Sequence, residues 1–319
     1  MKTLMIYGAT GYTGHMAAQH AKTLGLNLVL AGRNAERLAA LASELDAPYR
    51  VFTADAAQLD GIDVLLNFAG PFAQTAGPLM RACIANGTDY LDITAEINVY
   101  RLAEQLGAEA DVMLLPGVGW DVVPTDCLAM HVASRVQQPQ SIKIALQVPG
   151  AMSRGSAMSV SEIIGAGVMA RIEGELVATP DAQPQHLDFG DGLALCVPLS
   201  FGDLVTAWHS SAIPNISMFV HITGEAFPEG DLSLLPDGPT QAQREAHRAR
   251  AVAEVTGIDG SVARSVIETV NGYSYTPLAA VEAARRVLGG ERRVGFETPA
   301  KLFGVGFAQT IAGTQIIDY

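Results

Sequence analysis

The chain opens on an apolar run, Thr3-Leu4-Met5-Ile6-Tyr7. It breaks into Gly8-Ala9-Thr10-Gly11-Tyr12-Thr13-Gly14 and resumes with helical spacing of apolar positions from about Tyr12 to Leu24. That pattern predicts a buried strand, a glycine turn and a helix. Asn27 to Gly32 is a second buried run, and Ala35 to Leu45 places Leu38, Leu41 and Leu45 on one helical face. Short apolar runs at 49–53, 62–67, 88–93 and 112–115 predict the third to sixth strands, with helices at about 77–85 and 95–106 between the later ones. Strands alternating with helices in this way make an α/β fold on a doubly wound parallel sheet.

After 115 the pattern changes. Pro116-Gly117-Val118-Gly119-Trp120-Asp121 leaves the sheet as a glycine-rich connector, which places a domain boundary near 122. Residues 141–148 alternate as a half-exposed strand should, and Met158 to Ile172 reads as a helix. Leu204 to His209 and Ile216 to Thr223 read as strands, Thr240 to Val255 as a surface helix, Ala263 to Tyr275 as β-rich, and Pro277 to Leu288 as a final helix with proline at its first position.

The glycine stretch carries the strongest functional signal, because G-x-x-G-x-x-G directly after a first strand is where a dinucleotide-binding unit begins. Gly8 permits the turn off the strand. Gly11 lets a pyrophosphate reach backbone N–H groups at the positive end of the helix, Gly14 lets the helix lie close to the sheet, and Thr10, Tyr12 and Thr13 complete the phosphate loop. The end of the second strand selects the cofactor. Arg33-Asn34 stands where a carboxylate would take the ribose 2′-hydroxyl of NAD(H), and a guanidinium there pairs with a 2′-phosphate, so NADP(H) is favoured over NAD(H). The plainer alternative leaves Arg33 in solvent at a helix start. Asp55 follows the third strand, either over the adenine edge or in an exposed loop.

After the fourth strand, Ala69 and Gly70 are small enough to admit the ribose, and Pro71-Phe72 offers a stiff apolar edge to a nicotinamide. Asp92, Glu96 and Asp121 are the candidate proton-transfer groups around that crevice. Glu96 has a competing reading as a dipole partner at a helix start. Cys127 sits near a helix start but beside Asp126 and with no adjacent base, so a buried thiol is favoured over a nucleophile. His131 reads as structural. Ser153-Arg154-Gly155-Ser156 either binds an anionic substrate group or caps a helix.

Composition narrows the classes. With 319 residues, 49% apolar and 17% charged, the chain is globular and long enough for two cores. A net charge of −13 argues against nucleic-acid or anionic membrane partners. No apolar run is long enough to span a bilayer and no signal peptide pattern opens the chain, so a cytoplasmic location is expected. Three cysteines without metal-ligand spacing suggest neither a disulfide framework nor a metal site.

Several stretches together resemble the saccharopine dehydrogenase-like oxidoreductases, in particular the bacterial branch that includes trans-acting enoyl reductases. They are GATGYTG at 8–14, AGR at 31–33, NFAGPF at 67–72, YLDITAE at 90–96, PGVGWDVVPTD at 116–126, IPNI at 213–216 and TPAKLFG at 298–304. The resemblance implies a Rossmann domain over 1–122, completed by about 277–319, and an α+β domain over 123–276 on a mostly antiparallel sheet. It also implies NADP(H)-dependent hydride transfer to or from a small carbonyl, imine or enoyl substrate. A non-catalytic NADP(H) sensor is the alternative. An exposed antiparallel sheet in the second domain would suit a homodimer.

Overall fold

The computed structural model describes residues 2–148, 150, 152–222 and 235–319. In its first half, strands β1 (Thr3–Tyr7), β2 (Asn27–Gly32), β3 (Tyr49–Val51), β4 (Val64–Asn67), β5 (Asp89–Asp92) and β6 (Met113–Leu115) alternate with helices α1 (Tyr12–Thr23), α2 (Ala35–Leu45), α3 (Phe72–Asn86) and α4 (Ile97–Gly107). The second half contains α5 (Val123–Ala133), β7 (Pro139–Val148), α6 (Arg154–Gly165), β8 (Met169–Ile172), β9 (Glu175–Ala178), β10 (Gln185–Asp188), β11 (Leu193–Pro198), α7 (Asp203–Ser211) and β12 (Asn215–Ile222). It continues through α8 (Gln241–Glu245), β13 (Ala249–Gly257), β14 (Val262–Thr269), α9 (Gly272–Leu288), β15 (Gly295–Phe296), α10 (Pro299–Phe303) and β16 (Gln315–Asp318).

The first sheet runs β15-β6-β5-β4-β1-β2-β3, parallel throughout. Its strand order turns around between β1 and β4, the switch point of a doubly wound fold, where a crevice opens beyond the carboxyl ends of the strands. Strands buried on both faces explain the near-continuous apolar runs: Leu4, Met5, Ile6, Leu65 and Leu66 are inaccessible to solvent or nearly so. Helix α9 returns from the far half of the chain to pack on α1; α1 buries Ala17, Ala18 and Ala21, and α9 buries Ala279, Ala280, Ala283 and Ala284. Small side chains on both helices bring the backbones together and tie the chain's end to its beginning.

The second sheet runs β10-β11-β12-β7-β13-β14-β16, with β8 and β9 attached to β12. Among the described residues of this sheet, β12 and β7 pair in parallel and the other pairs are antiparallel. One face buries Ile142, Ile144 and Leu146 in the main core against helices that include α5. The other carries a small apolar cluster around Phe219 and Val252 and ion pairs such as Lys143–Glu254 and Arg250–Glu268.

Several elements differ from the sequence expectation. Helix α3 begins at Phe72 rather than 77 and contains Pro78, because its first amides are capped from outside by Glu96. The 158–172 segment divides at Gly167, whose φ of 74° ends the helix and turns the chain into β8. Residues 204–209 lie in helix α7, buried over contiguous positions, so that no period showed. Beyond the short α8, Ala249 to Gly257 is a central strand whose Ala249, Ala251, Ala253 and Val255 face the main core. Pro277 is well inside α9, which starts at Gly272 after Asn271 accepts from Tyr273 N at 3.0 Å. The strand ending at Ile222 agrees with expectation; Thr223 lies outside the described residues. The last segment does not stay with the first sheet: β15 joins β6, but β16 pairs with β14 in the second.

Candidate functional site

A cleft of about 550 Å³ lies between the two sheets, at the switch point. Gly8, Thr10, Gly11, Tyr12 and Thr13 form one wall. Gly8 has φ of 80°, and a Cβ there would meet Ala69 N at 2.8 Å. A Cβ on Gly14 would come within 2.2 Å of the Gly8 carbonyl oxygen, so this glycine serves packing and does not line the cleft. No side chain caps the start of α1. Its first N–H groups, beside a loop held open by missing side chains, make a site for a phosphate anion.

At the end of β2, Gly32, Arg33, Asn34 and Arg37 also line the cleft. Arg33 is exposed and makes no hydrogen bond or ion pair among the described residues. The Asn34 side chain is committed to the start of α2, accepting from Arg37 N at 2.9 Å. Of the two readings of Asp55, the structure shows the exposed one: it lies in a single helical turn and is not among the residues lining the cleft. Arg37 was missed by sequence reasoning. Its position one turn past the cap, with helical side chains leaning towards the N-terminus, was the available signal.

At the switch point, Phe68, Ala69, Gly70 and Phe72 line the cleft but Pro71 does not; it precedes α3 as the N-cap. Ala69 N donates to Asn67 Oδ1 at 2.9 Å, and Asn67 Nδ2 donates to Tyr90 at 3.1 Å, so this loop is braced from below.

The three candidate carboxyls separate. Asp92 is fully buried: its Oδ1 accepts from Thr94 N and Gly117 N, each at 3.0 Å, and its Oδ2 accepts from Tyr90 at 2.8 Å. Burial pushes it up to about 6, and it does not reach the cleft. Glu96 is 3% exposed and caps a helix other than its own. It accepts from Phe72 N at 2.9 Å and Ala73 N at 2.6 Å, and from Ser159 of α6 at 2.9 Å. Burial raises its pKa against those bonds. Neither is a cleft acid.

Asp121 does line the cleft. It is half-buried, no hydrogen bond among the described residues engages its carboxyl, and burial pushes it up to about 6. The preceding Trp120 is pinned by Trp120 Nε1 donating to Thr269 at 2.9 Å and Trp120 N donating to Thr276 at 3.1 Å, which fixes the backbone that presents Asp121.

The opposite wall begins at the N-terminus of α6. Ser153 caps it by accepting from Ser156 N at 3.1 Å, and Arg154 is ion-paired with Asp237. Tyr12 joins the walls. Its hydroxyl donates to the Pro239 carbonyl and accepts from Arg244 at 2.6 Å, and its ring meets Tyr273 edge-on at 5.7 Å. Beyond these, Met158, Ile163, Leu199, Phe201 and Val220 make the cleft apolar. Cys127 is fully buried and its thiol is raised well beyond its ordinary range, which removes it as a nucleophile. His131 is bound to Asp318 at 2.8 Å. Among the described residues there is no cluster suited to a metal ion and no helix long and apolar enough to cross a membrane.

Residues 4–113 match the family model of the saccharopine dehydrogenase NADP binding domain. The trans-acting enoyl reductase of Mycobacterium ulcerans (strain Agy99) is 29% identical over 158 residues, which are 44% of this chain and 38% of that protein. The trans-acting enoyl reductase of Mycobacterium bovis (strain BCG / Pasteur 1173P2) is 32% identical over 139 residues, 39% of this chain and 33% of the relative. The matched stretches thus span less than two fifths of these relatives. Among solved structures, the apo saccharopine dehydrogenase (L-Glu forming) from Saccharomyces cerevisiae is 13% identical and covers 100% of both chains with a TM-score of 0.66, a likeness of fold. Residues 4–113 thus match the saccharopine dehydrogenase NADP binding domain, and they sit in a two-sheet fold similar to that of the yeast saccharopine dehydrogenase.

Proposed function

We propose that this protein is an NADP(H)-dependent reductase of a small carbonyl, imine or enoyl group carried on a mainly apolar substrate, with Asp121 as the proton donor. The observation that carries the reading is Asp121 itself, a cleft carboxyl with no hydrogen-bond partner, across the switch point from an uncapped glycine loop. NADPH supplies the hydride when bound, and the glycine loop, Arg33 and the small residues Ala69 and Gly70 fit its phosphates and ribose. Asp121 holds a proton on a carboxyl oxygen up to a pH of about 6, because desolvation penalises its charged form. The apolar wall of Met158, Ile163 and Phe201 excludes water from the reacting group.

Among the described residues, the one guanidinium at the substrate end of the cleft is Arg154, and it is ion-paired with Asp237. A substrate bearing several carboxylates would find few partners there, which favours an uncharged acceptor. The name shared by the enoyl reductase relatives agrees with that preference.

The test follows NADPH absorbance in the presence of enones, aldehydes, and 2-oxo acids with amines. Oxidation with an uncharged acceptor is expected. It should slow about tenfold per pH unit above about 6, because the acid form of Asp121 is lost there, and Asp121→Asn should abolish it. Bound NADPH that no acceptor oxidises would overturn the reading in favour of a sensor.

A further inference from the structure

Asn271, the residue before α9, lines the cleft and is 7% exposed. Its Oδ1 accepts from Tyr273 N at 3.0 Å and so caps the helix. A backbone N–H only donates, so this bond fixes which end of the amide is oxygen and turns the NH2 away from the helix. The NH2 makes no hydrogen bond among the described residues and is not sealed in the core, which leaves it facing the cleft. The block of chain around Asn271 also holds Asp121 in place. Trp120 Nε1 donates to Thr269 at 2.9 Å and Trp120 N to Thr276 at 3.1 Å, and a Cβ on Gly272 would meet the indole at 3.1 Å. Asn271 and Asp121 are each one residue from these contacts. One packed unit therefore presents to the cleft both an acid and an amide donor whose position is set by its other end.

We propose that Asn271 donates a hydrogen bond to the carbonyl oxygen of the substrate, beside Asp121, and so selects a carbonyl or enoyl acceptor over an imine. In the reduction the acceptor gains a hydride, supplied by NADPH, and one proton, supplied by Asp121. The displaced π pair moves onto the carbonyl oxygen, either directly or through a conjugated double bond. The proton then goes to that oxygen in the first case and to the α-carbon in the second. Either way negative charge grows on an oxygen, and an amide N–H held in place beforehand stabilises it more than it stabilises the neutral carbonyl. An imine is reduced as its protonated form, whose N–H is itself a donor and finds no acceptor in an NH2. The cap and the catalytic contact use opposite ends of one side chain, so they are separable by substitution.

This inference rests on the reductase reading above and narrows its acceptor. Asn271→Asp and Asn271→Ser both keep an oxygen able to cap α9 and both remove the NH2, and serine adds no charge. Turnover of NADPH is measured with cyclohexenone, hexanal and the cyclic imine pyrroline, beside urea unfolding and calorimetry of NADPH. Both variants are expected to unfold near the parental midpoint and to bind NADPH within about twofold of the parent, while kcat on the carbonyl probes falls by about a hundredfold to a thousandfold. Binding of cyclohexenone to the NADP+-loaded protein, where no reduction occurs, should weaken by about threefold to tenfold, the loss of one neutral hydrogen bond. Turnover kept by either variant would leave Asn271 a helix cap alone, and NADPH affinity falling in step with turnover would assign the amide to the cofactor; either overturns the inference. So does a parent protein that reduces pyrroline faster than the carbonyl probes. A parent that binds NADPH and reduces none of the three would overturn the reductase reading, and this inference with it.

Discussion

Replacing Glu96 by Gln tests whether this carboxylate is a structural latch or an acid at the cleft. Its two oxygens accept from the first two amides of α3, at 2.9 and 2.6 Å, and one of them also accepts from Ser159 on the second domain. Glutamine keeps a single acceptor oxygen and turns an NH2 towards an amide N–H. One charge-assisted bond is lost outright and the remaining ones become neutral. At roughly 1.5–3 kcal/mol for a hydrogen bond to a charged group, and less than 1 kcal/mol more from the helix dipole, the expected destabilisation is about 2–4 kcal/mol. Ser159→Ala removes a single donor to the same carboxylate and leaves both amide bonds in place, so it should cost about 1.5–3 kcal/mol at most. Urea unfolding measures both, with NADPH oxidation measured on folded protein below the transition. Glu96→Gln protein that unfolds at the parental midpoint yet has lost turnover would refute the latch and return Glu96 to the chemistry.

Two further perturbations probe the frame around the site. Gly14→Ala should destabilise by about 1–3 kcal/mol and weaken NADPH binding, since its Cβ would press on the Gly8 carbonyl; parental values in urea unfolding and fluorescence titration would show that loop and helix are not so close. Asp203 is fully buried, both its carboxyl oxygens lack a hydrogen-bond partner among the described residues, and burial raises it well above its ordinary value. A raised folded pKa means that stability falls as pH rises from the unfolded pKa towards the folded one. Across the interval that opens above the ordinary carboxylate pKa, Asp203→Asn, which does not titrate, should therefore gain on the parent by up to about 1.4 kcal/mol per pH unit. A difference that stays flat across that interval would show Asp203 to be ionised.

The first domain was legible because independent signals agreed. The apolar runs of β1 and β2 have no exposed face to confuse their period, and the glycine spacing fell directly between strand and helix. The second domain lacked that agreement. Helix α7 is buried over Leu204, Val205, Thr206 and Ala207, which erases a helical period, and β13 is written in Ala, Arg and Glu, residues whose own preference is helical. Tertiary pairing with β7 and β14 decides the second case.

The site divides on the same line. The glycine loop and Arg33 are local features, and Gly8, Thr10, Gly11 and Arg33 line the cleft. Asp92, Glu96 and Asp121 looked alike as acids near strand ends or helix starts, and contacts distant in sequence separate them. Asp92 holds Gly117, Glu96 holds Phe72 and Ala73, and only Asp121 is left unengaged on the cleft. Arg37 was hidden for the opposite reason: on a polar helix face it looked like one of many solvated charges.

The most direct measurement of the central claim is a crystal structure of the protein with NADP+ bound. The account predicts the pyrophosphate on the N–H groups at the start of α1, the 2′-phosphate beside Arg33, and the nicotinamide ring beside Asp121. Density for the dinucleotide away from the glycine loop, or a nicotinamide turned from Asp121 towards solvent, would contradict it.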